Sequence, residues 1–102
     1  MIAGLLARRS ERLARGVVHR AAHVAAAHHG ARTILLDARR GRYYGLDEVG
    51  GRIWELLEPG ASLARVVDTL EQEYDAPRAV LAADTAALLA RLWRRGLVGV
   101  ET

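Results

Sequence analysis

The chain has 102 residues, of which 51% are hydrophobic, so it has room for one domain with one modest core. It contains no cysteine, which excludes disulfide bonds, thiolate metal sites, iron–sulfur clusters and cysteine nucleophiles. No apolar run reaches the roughly 18 to 20 residues of a membrane span, and the first residues do not resemble an export signal. We therefore expect a cytoplasmic protein.

The net charge of +3 is unevenly distributed along the chain. Residues 1–42 contain nine arginines and two acidic residues, whereas residues 43–102 contain six arginines and ten acidic residues. A basic segment attracts nucleic acid, an acidic membrane surface or an acidic peptide. The charge therefore defines three classes of partner without choosing among them.

The first segment predicts a loose amphipathic helix over residues 2–15, which Gly16 would end. Its apolar positions, set among arginines, are Ile2, Leu5, Leu6 and Leu13. Residues 17–27 are rich in Ala and His and have no clear period, so an irregular strand and a continued helix both remain open.

Residues 33–46 predict a β-hairpin. An apolar, β-branched run at residues 33–36 is followed by a polar connection that ends in Gly41, and a second run begins at Arg42. Alternation places Ile34 with Leu36, and Tyr44 with Leu46, on the faces that we expect to point inward.

Three helices are predicted after the hairpin. Asp47 is a candidate N-cap for the first, and Gly50 and Gly51 at its start indicate close packing. Ser62 would cap the second, whose apolar residues follow the spacing of one buried face. The third begins near Pro77 and ends at Gly96, a candidate C′ residue. Leu97 is positioned to contact Leu92 in a Schellman closure.

This order of elements predicts an α+β fold of the winged-helix-like type, with a three-stranded antiparallel sheet followed by three helices. Residues 98–102 would add a short extended piece. The strand at Arg42 to Leu46 comes last in the predicted meander, so it should be an exposed edge of the sheet.

Catalytic and metal sites find little support in the sequence. A nucleophile needs Ser, Thr, Cys or Lys beside a base; the chain has no Cys and no Lys, while Ser62 is the predicted cap and Ser10 lies among arginines. The four histidines occur within eleven residues, but no carboxylate lies between Glu11 and Asp37 to complete a metal shell. The four histidines are His19, His23, His28 and His29. We predict no enzyme activity, no metal and no cofactor.

Peptide binding, in contrast, has a physical basis. An edge strand offers unpaired N–H and C=O groups, and a neighbouring helix supplies pockets for alternate side chains. Asp84 lies on the same side of the third helix as Leu81, Leu88 and Arg91. It either borders such a groove or is a solvated acid near Arg91.

From about Thr33 onward the chain resembles the PqqD-like family, and within it the precursor-recognition proteins of lasso peptide biosynthesis. The motifs that carry the resemblance are Leu35-Leu36-Asp37, Gly41-Arg42-Tyr43-Tyr44-Gly45-Leu46-Asp47, Gly51-Arg52-Ile53-Trp54-Glu55-Leu56-Leu57, Tyr74-Asp75, Ala83-Asp84 and Arg95-Gly96-Leu97-Val98. They cover about two thirds of the chain and occur in order.

The resemblance implies a domain that binds the leader segment of a ribosomally made precursor peptide as an added antiparallel strand. The residues that it places at the cleft are Arg42, Tyr43, Tyr44, Gly45 and Leu46 on the strand, and Leu81, Asp84, Leu88, Arg91 and Leu92 on the helix. It also implies delivery of the precursor to a transglutaminase-like leader peptidase and an asparagine-synthetase-like macrocyclase.

The resemblance implies that residues 17–102 are the peptide-recognition domain, and residues 1–16 form a basic N-terminal extension beyond the family pattern. The main alternative is a winged-helix DNA-binding regulator, although the third helix has no Asn, Gln or Lys to contact base edges. Membrane attachment through the basic first helix is a further alternative with weaker support. We predict neither a nucleic-acid nor a membrane partner.

Overall fold

The computed structural model describes the backbone of residues 2–102 and the side chains of residues 9–102. The described elements, in chain order, are α1 (Ile2–Arg15), β1 (Val17–Arg20), β2 (Val24–His29), β3 (Arg32–Asp37), β4 (Arg42–Leu46), α2 (Glu48–Leu56), β5 (Ala61–Ser62), α3 (Leu63–Glu73), α4 (Arg78–Arg94) and β6 (Val98–Glu101). None of the helices in this part of the chain is long and apolar enough to cross a membrane.

The strands form two antiparallel three-stranded sheets, in the orders β2-β3-β4 and β5-β1-β6. The first sheet is followed by α2, α3 and α4, which confirms the predicted α+β, winged-helix-like arrangement. The helix predicted over residues 2–15 is confirmed as α1, which adds a fourth helix to the three that follow the sheet. The second sheet was not predicted. β4 lies at an edge of its sheet, as expected.

Residues 17–27, for which strand and helix remained open, contain β1 and the start of β2. Val18 is fully buried, and it pairs with Ala61 of β5 on one side and Val100 of β6 on the other. These partners are more than forty residues away along the chain, so no local pattern indicated the second sheet.

The predicted inward face of β3 is wrong. Ile34 and Leu36 are half-buried, whereas Leu35 and Asp37 are buried on the opposite face together with Thr33. Asp37 tolerates burial because its carboxylate accepts the N–H groups of the following turn, at residues 39 and 40, over 3.0 and 3.2 Å. Polar residues at two inward positions therefore concealed the alternation. On β4 the prediction is confirmed, since Leu46 is buried and Tyr44 half-buried.

The predicted helix boundaries are confirmed by their capping contacts. The Asp47 carboxylate accepts the N–H of Gly50 at 2.8 Å, and the Ser62 hydroxyl accepts the N–H of Arg65 at 3.2 Å. At the end of α4, Gly96 has φ of +74°, which places the chain in the left-handed conformation of a Schellman motif. The N–H of Leu97 donates to the carbonyl of Leu92 at 2.9 Å, and the N–H of Gly96 donates to the carbonyl of Trp93 at 3.0 Å.

One apolar core joins both sheets to the four helices. Its buried members include Leu13, Val18, Leu35, Leu46, Ile53, Trp54, Leu57, Val66, Val67, Leu70, Leu81, Leu88, Leu89, Leu92, Leu97 and Val98. Leu13 is 5% exposed, so the C-terminal end of α1 is anchored in this core. The side chains of Ile2, Leu5 and Leu6 lie outside the described residues, and the boundary between an extension and a domain near residue 16 stays a prediction.

Ion pairs hold the three later helices together at the surface. The Arg52 guanidinium of α2 donates two 2.8 Å hydrogen bonds to the Glu73 carboxylate of α3. This contact lowers the pKa of Glu73 below its usual range and raises the pKa of Arg52. Arg78 at the start of α4 reaches Asp68 and Glu71 of α3 at 2.8 and 3.0 Å.

Candidate functional site

A groove of about 730 Å³ runs between the end of β4 and one side of α4, with α2 beneath it. Its lining combines apolar side chains with a few charged ones, which is typical of a ligand groove. The lining residues are Arg32, Gly45, Leu46, Asp47, Val49, Gly50, Ile53, Tyr74, Asp75, Ala76, Val80, Leu81, Asp84, Thr85, Ala87, Leu88 and Arg91.

The floor of the groove depends on a glycine at the start of α2. A Cβ at Gly50 would lie 3.3 Å from the Leu46 Cβ and 3.6 Å from a methyl carbon of Leu88. The missing side chain therefore lets α2 approach β4 and α4 closely, as the sequence predicted for this position. Leu46 and Leu88 are 6% and 8% exposed, so they form a firm apolar base.

Six of the ten residues predicted for the site lie together in this lining: Gly45, Leu46, Leu81, Asp84, Leu88 and Arg91. The other four are close in the fold but do not line the groove: Arg42, Tyr43, Tyr44 and Leu92. The assignment of all ten to a bound peptide stays a prediction.

Those four residues have separate environments. Tyr43 is 71% exposed, and Arg42 is exposed at the beginning of β4. Tyr44 lies under the guanidinium of Arg95, which is 5.2 Å from the centre of its ring, so β4 is held to the end of α4. Leu92 is 4% exposed and belongs to the core.

The open edge of β4 can be assigned residue by residue, beginning with β3. The N–H of Ala38, just after β3, donates to the carbonyl of His23, just before β2, at 3.0 Å. Hydrogen bonds alternate sides along a strand, so even-numbered residues of β3 bond toward β2 and odd-numbered residues bond toward β4.

On β4, the partners of those odd-numbered residues have their backbone groups occupied. Leu35 pairs with Tyr44, so the N–H and C=O of Tyr44 face β3. The intervening residues Tyr43 and Gly45 must then direct N–H and C=O away from β3. They are the two positions at which an added strand can hydrogen-bond to β4.

Eleven of the seventeen lining residues were not predicted for the site, and four of them illustrate different reasons. Val80 is 49% exposed and lies beside the buried stripe that periodicity detects. Thr85 is 1% exposed, and its hydroxyl has no hydrogen-bond partner among the described residues, which no pattern reveals. Tyr74 was named only as part of the Tyr74-Asp75 motif, without a role in the site. Arg32 lies on β3 and reaches the groove across Gly45.

The electrostatics of the groove are mixed. Asp84 and Arg91 both line the groove, are exposed, and form no ion pair with each other in the described part of the chain. Burial raises the pKa of Tyr74, and the nearby carboxylates of Glu48 and Glu73 act in the same direction. The Tyr74 phenol therefore stays protonated and can donate a hydrogen bond at the groove wall.

The histidines are dispersed rather than gathered. His19 lies 3.4 Å from Glu101, and His23 lies 3.6 Å from the buried Asp37. His28 is within 3.3 Å of the Thr33 hydroxyl. In the described residues no three His, Cys, Asp or Glu side chains come together as a potential metal site.

Residues 32–98 match the family described as Coenzyme PQQ synthesis protein D (PqqD). The chain belongs to the PqqD family. The match contains β3, β4, α2, α3 and α4, and hence every residue that lines the groove. A comparison with curated proteins found no match.

Two solved structures are similar over most of both chains. One is "TbiB1 in Complex with the TbiA(beta) Leader Peptide", with 33% identity and a TM-score of 0.75, covering 82% of this chain and 98% of the other. The second is "Lasso peptide synthetase B1 complexed with the leader peptide", with 29% identity and a TM-score of 0.72, covering 80% and 96%. Both relatives carry a leader peptide, so the recognition-protein resemblance noted in the sequence is confirmed.

Proposed function

We propose that this chain binds the leader segment of a ribosomally synthesised precursor, in lasso peptide biosynthesis, by adding it as an antiparallel strand to β4. The observation that carries the proposal is the groove itself: an open strand edge lies directly beside an apolar helix side. The likeness to two proteins whose structures contain leader peptides supports the same function.

The two parts of the groove contribute differently to binding. The open N–H and C=O groups of Tyr43 and Gly45 can form hydrogen bonds with the backbone of any extended peptide. They therefore provide affinity without sequence selection. Selection comes from side chains that enter the groove beside Leu81 and Leu88. Asp84 and Arg91 at its rim add charge complementarity.

In this proposal the chain performs no chemical step. It holds the precursor while a separate leader peptidase of the transglutaminase-like type and a macrocyclase of the asparagine-synthetase-like type act on it. Genes for a short precursor and for these two enzymes beside the gene for this chain would support the assignment. A neighbourhood without them would remove the support for these partners.

Binding is tested by fluorescence anisotropy with two labelled probes. One is the TbiA(beta) leader peptide, and the other is the leader of a precursor encoded beside this gene. Scrambled peptides of identical composition are the controls. We expect a Kd from sub-micromolar to low micromolar, which corresponds to a binding free energy of about −8 to −10 kcal/mol. Absence of binding by both leaders, together with salt-sensitive binding of duplex DNA, would refute the proposal.

The location of the site is tested with Asp84→Ala. Asp84 is exposed and makes no ion pair among the described side chains, so the substitution should leave the fold intact. Arg65→Ala, at an exposed position of α3 outside this groove, is the control. Leader affinity should change in the Asp84 variant and not in the control; equal affinities would place the site elsewhere.

A further inference from the structure

The inference concerns the strand that the leader would add to β4, so it rests on the proposed function. The orientation of that added strand is defined where it pairs with Gly45. Gly45 directs its N–H and C=O to the open edge, so it would exchange both hydrogen bonds with the peptide residue opposite. Side chains of directly opposite residues lie on the same face of a sheet. The peptide residue paired with Gly45 must therefore point to the outer face, away from α4.

The outer face at that point is occupied by an arginine. Arg32 shares this face with Ile34, and Ile34 pairs directly with Gly45. The Arg32 side chain extends diagonally over Gly45, so that one terminal nitrogen would lie 3.0 Å from a Cβ at that glycine. Gly45 thus leaves open the space through which the guanidinium reaches the edge of β4.

Arg32 differs from the arginines that stabilise the fold. Arg20, Arg52 and Arg78 each contact a carboxylate at 2.8 Å. Arg32 has no such contact among the described residues, although it lines the groove. Its five N–H donors therefore remain available to a group that arrives with the peptide.

The distances allow a direct contact. Neighbouring strands lie about 4.8 Å apart, and opposite Cβ atoms are about 5 Å apart. A guanidinium about 3 Å above the Gly45 Cβ position is therefore within reach of an Asp or Glu side chain on the added strand. An apolar side chain at the same peptide position would leave the Arg32 charge without a partner.

We infer that Arg32 is a specificity-determining residue of the groove, which selects a carboxylate side chain at the peptide residue paired with Gly45. The peptide is then held from both sides. Residues that pair beside Tyr44 and Leu46 point inward toward α4, and the residue between them points outward to Arg32. The preferred pattern is one acidic position flanked by two inward-facing positions.

The experiment uses labelled variants of the TbiA(beta) leader peptide, or of the neighbouring precursor's leader where that binds more tightly. Each residue is replaced in turn by Glu, Gln and Lys, and Kd is measured for the wild-type chain and for Arg32→Gln. Arg39→Gln is the matched control, because Arg39 is an exposed arginine of the hairpin turn and loses the same charge. Arg32→Glu supplies the reversed charge.

One peptide position should prefer Glu over Gln by about three- to tenfold in the wild-type chain and in Arg39→Gln. The preference should disappear in Arg32→Gln and reverse toward Lys in Arg32→Glu. Parent-peptide binding without any Arg32-dependent position would overturn this inference and leave the proposed function standing. Loss of Glu preference in Arg39→Gln as well would reduce the effect to net charge and also overturn it. No binding by any peptide refutes both.

Discussion

Replacing Tyr43 by proline should weaken leader binding while leaving the domain folded. Tyr43 is 71% exposed, and its N–H points away from β3, so the domain itself uses neither its ring nor its donor. Proline is tolerated at such an edge position. We therefore expect the free energy of unfolding to change by only about 0–1 kcal/mol.

The effect on binding follows from one lost hydrogen bond. Net, such a bond contributes about 0.5–1.5 kcal/mol, and a peptide carbonyl left unpaired costs about 1–3 kcal/mol. A total loss of about 1–3 kcal/mol corresponds to a Kd raised roughly 5- to 150-fold. Fluorescence anisotropy with the leader peptide measures the Kd, and urea denaturation measures stability.

Two control variants separate the backbone from the side chain. Tyr43→Ala removes the ring but keeps the N–H, so leader affinity should stay close to wild type. Tyr44→Pro removes an N–H that faces Leu35 and the ring beneath Arg95, so it should lower stability by about 1–3 kcal/mol. Unchanged affinity in a folded Tyr43→Pro variant, or equal losses for Tyr43→Pro and Tyr43→Ala, would refute the assigned strand register.

Three further predictions concern the groove wall, a helix end and an ion pair. Val80→Ser should weaken leader binding about two- to fivefold, with a stability change below about 0.5 kcal/mol, since Val80 is 49% exposed; anisotropy and urea denaturation test this. Gly96→Ala should cost about 1 kcal/mol of stability because φ is +74°, and an unchanged urea midpoint would contradict it. The Arg52 contact lowers the pKa of Glu73 and therefore stabilises the fold at pH values above 4.5, the ordinary pKa of the group. This stabilisation is lost as the pH falls through the lower pKa of the folded state. Arg52→Gln should therefore flatten this acid-side loss in a pH series of thermal denaturation.

Local chemistry explains which parts of the fold were predictable. Asp47, Ser62 and Gly96 act through hydrogen bonds within a few residues of sequence, so their positions marked three helix boundaries correctly. The small second sheet joins residues 17–20 to residues 61–62 and 98–101, and its strands, of four, two and four residues, are too short to show a clear alternation. Its pairing is set by tertiary packing around Val18, which the sequence alone does not reveal.

The groove residues also fall into those that local sequence patterns reveal and those that they do not. Leu81 and Leu88 were found because one side of a helix repeats along the sequence, and Asp84 was found as an acid between them. Arg32 was missed because its role depends on a diagonal contact across two strands and on the absence of a side chain at Gly45. The β3 face was misassigned because burial of Asp37 depends on turn hydrogen bonds that hydrophobicity does not represent.

The sheet β2-β3-β4 has a second edge, on β2, and comparison of the two edges shows where selectivity arises. Five of the six β2 residues are exposed, and the strand is made mainly of alanine and histidine. Its outward N–H and C=O groups are chemically the same as those of β4, so a peptide could pair there with the same backbone bonds. No lining residue of the groove comes from β2. Backbone hydrogen bonding alone would let either edge bind a peptide, whereas side-chain selectivity arises only at β4, where α4 lies beside the edge.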